Sequence, residues 1–204
     1  MLYSLLQYVC QMLCLVVFNY RLYGGRHLPR TGGILLAANH QSFLDPILFA
    51  VALPRPVHFM ARESLFRNPL FRLLIRSLNA FPVRRGSADR AAIRHAIELL
   101  RSGEVVLMFP EATRTPDGRI GTPQAGLAMI AAKANSCIVP AVVEGAFRSW
   151  PRHRLLARPA RIRVQLGPPI SPQSLTNLSH EEVSAYLRQH LLALQAALRS
   201  RPNL

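Results

Sequence analysis

Short apolar segments with the length of buried strands recur along this chain and limit the folds available to it. The clearest lie at residues 33–38, 104–109 and 138–143. Segments with helical periodicity separate them, including residues 88–102 and 126–134. Buried strands that alternate with helices are typical of a sheet covered by helices. The pattern predicts an α/β fold with a mixed, mostly parallel sheet, in a single domain because no internal repeat or long linker interrupts it.

Two residue pairs predict where helices begin. Asp45 followed by Pro46 has the composition of an N-cap and the first helical residue. Ser179 with Glu182 has the spacing of a capping box, which predicts a last helix that ends near Arg199.

Two strand predictions depend on composition inside the strand. Pro140 lacks a backbone N–H, so we expect the strand at 138–143 to lie at an edge of the sheet or at a bulge. Residues 161–166 alternate between charged and apolar side chains, which predicts a half-exposed strand.

The chain is strongly basic for its 204 residues. It carries 25 lysines and arginines against 10 acidic residues, which gives a formal charge of +15. Such a charge favours an anionic partner, either nucleic acid, acidic lipid or a phosphorylated substrate. Lys133 is the only lysine, so a compositional bias toward arginine explains part of the charge.

The first 20 residues contain no charged side chain. A membrane-spanning helix needs ~20 apolar residues, so this segment lies at the limit. On a helix, Ser4, Gln7 and Gln11 share one face, toward protein or lipid headgroups. We predict a membrane-anchoring helix over residues 1–23, monotopic or marginally spanning, before a domain over 24–204. The alternative is a core helix of a soluble protein.

Polar clusters follow three of the strand-like segments. They are His40 and Asp45, then Arg84 and Arg85, then Glu111, Thr113 and Arg114. Ligand sites of open α/β sheets gather beyond the carboxyl ends of the strands. If these strands are neighbours, the clusters converge on one pocket. The three cysteines show neither a disulfide framework nor zinc spacing, so no metal is expected.

The side chains of His40 and Asp45 have the chemistry of a general base and of the carboxylate that orients it. Imidazole titrates near neutral pH and can accept a proton from a hydroxyl. A carboxylate beside it would hold the tautomer and stabilise the imidazolium. The nucleophile would then be a hydroxyl of the substrate. The alternative is a helix-capping Asp45 beside a solvent-exposed His40.

The two later clusters contain arginines, which suit phosphate. Glu111 and Arg114 lie on a turn bounded by two prolines, where the carboxylate could hold a hydroxyl or orient the arginine. The alternative is a surface ion pair of little energetic value. Arg84 and Arg85 have the alternative of two solvated side chains.

Four segments, in their order and spacing, resemble the blocks of the glycerolipid acyltransferases of the lysophosphatidate acyltransferase type. They are "NHQSFLD" (39–45), "FPVRRG" (81–86), "FPEATRT" (109–115) and "VPAVVEG" (139–145). The resemblance covers roughly residues 20–170. It implies a glycerol-3-phosphate acyltransferase-like fold and acyl transfer from acyl-CoA or acyl-carrier protein to a glycerolipid hydroxyl. It also implies a lysophospholipid acceptor, with no cofactor other than the acyl donor.

The resemblance implies roles for individual residues. His40 removes the proton of the acceptor hydroxyl, and Asp45 orients His40. Arg85 contacts the phosphate of the acceptor. The third block, with Glu111, Thr113 and Arg114, binds the acceptor. Supporting roles fall to Asn39, Ser42, Arg84, Pro140 and Gly145.

The chain departs from the family pattern at several positions. Ala112 replaces the usual glycine of the third block, which restricts the backbone if that position needs a positive φ. Arg84 lies where many members have an acidic residue, and Gln124 lies near a frequent lysine. The last two differences bear on the headgroup of the acceptor.

Two alternatives to a lysophosphatidate acyltransferase remain open at this point. The first has the same chemistry with another acceptor, namely another lysophospholipid, glycerol 3-phosphate or a lyso-aminolipid. The second is a basic, non-catalytic module that binds membrane or nucleic acid, although no nucleic-acid motif supports it. We expect association with anionic lipid at the cytoplasmic face of the cell membrane, and no nucleic-acid partner.

Overall fold

The computed structural model describes residues 2–84 and 89–202. Its helices are α1 (Leu2–Phe18), α2 (Asp45–Ala52), α3 (Pro69–Ser77), α4 (Arg90–Arg101), α5 (Gly126–Ala134), α6 (Ala146–Ser149) and α7 (His180–Arg199). Its strands are β1 (Arg21–Tyr23), β2 (Ile34–Ala38), β3 (Val57–Arg62), β4 (Ala80–Val83), β5 (Val105–Met108), β6 (Cys137–Glu144) and β7 (Arg163–Leu166).

The strands form one mixed sheet in the order β1-β7-β6-β2-β5-β3-β4. The pairs from β6 to β4 are all parallel, and β7 pairs antiparallel with β6. Successive residues of the central strand point to opposite faces, so Leu36 packs with α1, α2 and α3 while Leu35 packs with α4, α5 and α7. This arrangement confirms the predicted α/β fold with a mostly parallel sheet between helices.

Pro140 lies in an interior strand, because β6 is flanked by β7 and β2. The prediction of an edge position is therefore wrong. The register explains how proline is tolerated there. Ala141 pairs with Leu166, whereas Ile138 bridges Ile170, so the partner segment has one extra residue. The missing N–H of Pro140 falls at this bulge, which was the other predicted possibility.

The predicted half-exposed character of residues 161–166 is only partly correct. Arg161 and Arg163 are partly exposed, but Val164, Gln165 and Leu166 are all buried. Helices cover both faces of the sheet here, so the alternation ends where the strand enters the core.

The two predicted helix starts differ in outcome. The capping box of α7 is present: Ser179 Oγ accepts the N–H of Glu182, and the Glu182 carboxylate accepts the N–H of Ser179. Asp45, in contrast, is the first residue of α2 and does not cap it. Its carboxylate accepts backbone N–H groups from the loop that precedes the helix.

Helix α1 packs along α2. Gln7 Nε2 donates to the carbonyl oxygens of Ala50 and Leu53, at 2.9 and 3.0 Å, so this polar side chain faces protein. Gln11 is exposed. Across residues 2–84 and 89–202, no helix combines the length and the apolar character that crossing a membrane requires.

Candidate active site

The loop after β2 is anchored to the neighbouring strand β6 by Asn39. Its Nδ2 donates to the carbonyl of Val143 at 3.1 Å, and its Oδ1 accepts the N–H of Val143 at 2.7 Å. Both partners are buried. The side chain therefore extends the hydrogen bonding between the two strands by one residue. It fixes the position of the backbone from which His40 follows.

One carboxylate oxygen of Asp45 is the common hydrogen-bond acceptor of the loop after β2. Its Oδ2 accepts the backbone N–H groups of Gln41 and Ser42 at 2.6 and 2.7 Å. The same oxygen lies 2.8 Å from Nδ1 of His40. The carboxylate is fully buried, whereas the His40 side chain keeps 12% of its surface exposed. The loop thus closes on Asp45 and presents the imidazole at the surface of the core.

The ring and the backbone of His40 are held separately. The ring stacks on Phe109, with centroids 3.9 Å apart and planes 13° apart. The backbone N–H donates to Glu111 Oε1 at 3.1 Å, and the carbonyl accepts the N–H of Thr115 at 2.8 Å. The first and third predicted clusters are therefore in direct contact, because β2 and β5 are neighbours.

Glu111 links two loops through its carboxylate. Oε1 accepts from His40, and Oε2 accepts the backbone N–H of Gly121 at 3.0 Å. Burial raises the pKa of this carboxyl above its usual range, although the two backbone hydrogen bonds act in the opposite direction. Glu111 therefore holds the backbone of the residue that carries the imidazole.

Ala112 adopts a left-handed backbone conformation, with φ of 56°. The restriction anticipated from the missing glycine is therefore real at this turn. We predict that Ala112→Gly raises the free energy of unfolding by about 0.5–1 kcal/mol, because the Cβ clash of the left-handed region disappears. Urea denaturation followed by circular dichroism measures the effect. Ala128→Gly, inside α5, should instead lower it by about 1 kcal/mol. A lower free energy of unfolding for Ala112→Gly would contradict the backbone strain assigned to Ala112.

Arg114 lies over an aromatic side chain of the first block. Its guanidinium carbon is 3.4 Å from the ring centroid of Phe43, a cation–π contact. Phe43 also packs against Trp150, with ring centroids 5.3 Å apart. Arg114 is half-buried, whereas Thr113 is exposed. The structure thus brings Arg114 to the loop of His40 through Phe43, which the pattern of charges did not reveal.

Two polar side chains of the first block connect it to the segment after β6. Ser42 Oγ donates to the carbonyl of Trp150 at 2.8 Å. Gln41 Oε1 accepts the N–H of Phe147, and its Nε2 donates to the carbonyl of Gly118. Gln41 was not among the predicted site residues, since a glutamine has no distinctive chemistry until its partners are known.

Arg84, the described member of the second predicted cluster, lies on a strand distant from that of His40. Arg84 follows β4 at the edge of the sheet, three strand spacings from β2, which is roughly 14 Å. Its side chain is exposed and lies 3.8 Å from Asp89. It borders a cavity of about 310 Å³ whose described lining includes Glu63 and His95. Arg85, the predicted phosphate ligand, lies outside the described residues.

The fourth block contributes to the site through its backbone. Gly145 has φ of +92° and is the N-cap residue of α6. A Cβ at this position would lie 2.0 Å from the carbonyl oxygen of Arg161. Pro140 lies further back in β6, at the bulge. Both positions act on the path of the backbone. Of the described residues, no three His, Cys, Asp or Glu side chains are grouped to hold a metal ion.

The chain is similar in sequence to a known family and to several known proteins. A family model described as Acyltransferase matches residues 19–144. The 1-acyl-sn-glycerol-3-phosphate acyltransferase of Bacillus subtilis (strain 168) is 28% identical over 173 residues, which cover 84% of this chain and 83% of the relative. The protein of the same name from Borreliella burgdorferi is 22% identical over 171 residues, covering 83% and 68%.

A solved structure has the same fold. It is that of the 1-acyl-sn-glycerophosphate acyltransferase from Thermotoga maritima, with a TM-score of 0.79 at 24% identity. The match covers 98% of this chain and 82% of that one. At this identity the likeness establishes the architecture of the sheet and its helices.

Proposed function

This chain belongs to the Acyltransferase family, whose model matches residues 19–144, and from that premise we propose that it converts 1-acylglycerol 3-phosphate to phosphatidate. The enzyme is an acyltransferase. In the proposed reaction, a fatty acyl group passes from the thioester of acyl-CoA or acyl-carrier protein to the free hydroxyl of the acceptor. The names of the Bacillus and Borreliella relatives support this choice of acceptor.

The observation that carries the proposal is the contact between His40 Nδ1 and the buried carboxylate of Asp45, at 2.8 Å. With Nδ1–H donating to Asp45, the lone pair of the ring lies on Nε2. Nε2 accepts the proton of the acceptor hydroxyl as the oxygen attacks the thioester carbonyl carbon. The C–S bond then breaks, and the thiolate leaves with the proton from Nε2. Substrate oxygen is the nucleophile, so no acyl-enzyme and no cofactor are needed.

The charge on Asp45 is the part of this mechanism that a substitution can isolate. All three donors converge on Oδ2, so the amide oxygen of an asparagine side chain can accept the same hydrogen bonds. We predict that Asp45→Asn lowers kcat on the order of tenfold, because the imidazolium of the transition state loses a charge-assisted hydrogen bond. Asp117→Asn, on an exposed turn, is the matched control. Steady-state kinetics measures both, and equal kcat values would contradict the orienting role.

Arg114 is the described residue best placed to bind the phosphate of the acceptor. It is half-buried, is held over Phe43, and lies one residue from the Thr115–His40 backbone bond. The resemblance of the second block implies that Arg85 supplies a second positive charge to the same phosphate.

Replacing Arg114 is expected to weaken acceptor binding more than chemistry. Arg114→Ala should raise the KM for lysophosphatidate roughly tenfold or more, since a hydrogen bond to a charged group contributes about 1.5–3 kcal/mol. Arg119→Ala, on the same loop and 89% exposed, is the control and should change KM little. An unchanged KM for Arg114→Ala would remove it from the phosphate site.

The acceptor itself is tested with a panel. Purified enzyme with acyl-CoA is offered lysophosphatidate, lysophosphatidylcholine, glycerol 3-phosphate and a lyso-aminolipid, and thiol release is followed. We expect lysophosphatidate to give the highest kcat/KM. A higher value with any of the other three would replace the acceptor while keeping the chemistry.

The proposed acceptor resides in a bilayer, and the surface of the enzyme fits that location. On α3, Leu70 and Leu73 are 80% and 69% exposed, beside Arg72 and Arg76. On α1, Val16 is 84% exposed. Apolar side chains next to arginines are typical of helices that lie in the interface of an anionic membrane. We therefore propose that the enzyme acts at the cytoplasmic face of the cell membrane.

A further inference from the structure

The segment between α6 and β7 exposes two leucines that no part of the proposed catalytic mechanism uses. Leu155 is 90% exposed and Leu156 is 77% exposed, among the highest exposures of any large apolar side chain in the described residues. Single exposed leucines are common on protein surfaces. An adjacent pair at the tip of a loop is less readily explained by chance, and the structure of the loop shows how the pair is held outward.

The base of this loop is closed by hydrogen bonds. Ser149 Oγ donates to the carbonyl of Arg158 at 2.7 Å, and the Ser149 carbonyl accepts the N–H of Arg158 at 3.1 Å. Inside the loop, Trp150 Nε1 donates to the carbonyl of Arg154 at 3.0 Å. The chain therefore leaves and returns at one fixed point. We call residues 150–158 the Leu-Leu loop.

The charge of the loop and its flanks has one sign. Arginine occurs at positions 148, 152, 154, 158, 161 and 163. No aspartate or glutamate lies between Glu144 and Glu181. A surface that combines exposed leucines with surrounding arginines matches a surface that combines acyl chains with phosphate groups. Nucleic acid would use the arginines but not the leucine tip, because binding of single strands depends on aromatic stacking.

The Leu-Leu loop is joined to both the candidate active site and α1. The Trp150 ring packs on Phe43, and the Trp150 carbonyl accepts from Ser42. Just beyond the loop, the N–H of Ile162 donates to the carbonyl of Phe18, at the end of α1, at 2.9 Å. The loop therefore lies at the edge of the sheet where His40 lies, next to the apolar N-terminal helix.

We propose that the Leu-Leu loop is a further membrane contact, besides α1 and α3, which inserts Leu155 and Leu156 into the interface of an anionic bilayer while its arginines meet lipid phosphates. This contact holds the site at the depth of the lipid headgroups, next to where a lysophospholipid presents its hydroxyl. The inference extends the proposed function by naming the surface through which the site meets the bilayer, and it rests on that function for its lipid acceptor.

Trp150 offers a direct test, because it is the only tryptophan of the chain. Its fluorescence reports on the base of the loop without any label. With vesicles of phosphatidylglycerol and phosphatidylcholine, the emission of the wild-type enzyme should shift to shorter wavelength. Brominated acyl chains should quench it. Vesicle binding that leaves Trp150 neither shifted nor quenched would overturn the proposal, and so would the absence of vesicle binding.

Variants at the tip separate this loop from the other apolar surfaces. Leu155→Ser with Leu156→Ser should weaken binding to the mixed vesicles on the order of tenfold or more in a sedimentation assay. Met129→Ser with Leu192→Ser, on the helices of the opposite face, is the matched control. Circular dichroism checks that all variants remain folded. Equal binding of the tip variant and the wild type would overturn the proposal.

A charge variant tests the other half of the surface. Arg152→Gln with Arg158→Gln should weaken binding to the mixed vesicles about tenfold or more, since each arginine near an anionic surface contributes to attraction. Arg94→Gln with Arg188→Gln removes the same charge from α4 and α7. A loss of the same size in both double variants would mean that net charge acts without this loop, and would overturn the assignment.

The same preparations distinguish this inference from the proposed function. Wild-type enzyme is assayed for transfer to lysophosphatidate in parallel with vesicle binding. Transfer with an unquenched Trp150 would leave the function standing and overturn the loop as a membrane contact. Quenched Trp150 without transfer would support the membrane contact and reject the acceptor.

Discussion

Replacing His40 by alanine is expected to lower the rate of acyl transfer by about 10²–10⁴-fold, the usual contribution of a general base. The reason is geometric. The only ring nitrogen that remains for substrate is Nε2, because Nδ1 lies 2.8 Å from the buried carboxylate of Asp45. Alanine removes the proton acceptor and leaves the hydroxyl of the substrate at its high intrinsic pKa. The measurement is thiol release from acyl-CoA with lysophosphatidate present.

The fold should survive this substitution, which makes the experiment interpretable. The backbone of residue 40 is hydrogen-bonded to the third block. Its N–H donates to the Glu111 carboxylate, and its carbonyl accepts the N–H of Thr115. Asp45 keeps the two N–H donors from Gln41 and Ser42. Alanine therefore removes one side-chain hydrogen bond and the stacking on a phenylalanine, but not the loop closure. Thermal denaturation should show a modest loss.

A second histidine serves as the control for this prediction. His180 is exposed and is the first residue of α7. His180→Ala should transfer acyl groups at the rate of the wild type. If His40→Ala turned over at a comparable rate, the assignment of His40 as the base would fail, whatever acceptor the enzyme uses.

Local signals in the sequence predicted the parts of the fold whose causes lie within a few residues. The capping box of α7 depends on two side chains three positions apart, and both were identifiable. The contact between His40 and Asp45 spans five positions of one loop. Their proximity was therefore predictable, although the buried environment of the carboxylate was not.

Other parts of the site depend on strand order, which no local signal encodes. Pro140 was expected at an edge or a bulge, and it lies at a bulge of an interior strand, because β7 returns antiparallel beside it. Asn39 bonds Val143 across a sequence separation of 104 residues. The position of β4 at the far edge separates Arg84 from His40. Neighbouring strands were assumed for all three clusters, and among the described residues the sheet brings the first and third clusters into contact.

The Leu-Leu loop shows a different reason for a missed feature. Its two leucines lie in a segment without helical or strand periodicity, so a hydrophobic pattern gave no reason to distinguish them from core residues. Only their exposure, at 90% and 77%, shows that they contact no core. The arginines around them were counted in the net charge, but the count did not show that they lie at the edge of the sheet that carries the site.

Replacing Gly145 by alanine is expected to lower the free energy of unfolding by about 3 kcal/mol, the largest loss of stability predicted for this chain. Two causes act together. Its φ of +92° is costly for any residue with a Cβ, and that Cβ would lie 2.0 Å from the carbonyl oxygen of Arg161. The obstructing atom belongs to the backbone just before β7, so relief requires a shift of the main chain.

The strand before Gly145 and the helix after it both support the loop of His40, which links this loss to activity. Val143 bonds Asn39, and the N–H of Phe147 donates to Gln41. We expect the Gly145→Ala midpoint in urea to fall, and activity to fall with the folded fraction. Gly126→Ala is the control, because nothing lies within 4 Å of its Cβ and its φ is not positive. Equal midpoints for the two variants would contradict the clash, whereas a fully folded but inactive Gly145→Ala would assign the fourth block a role in binding substrate.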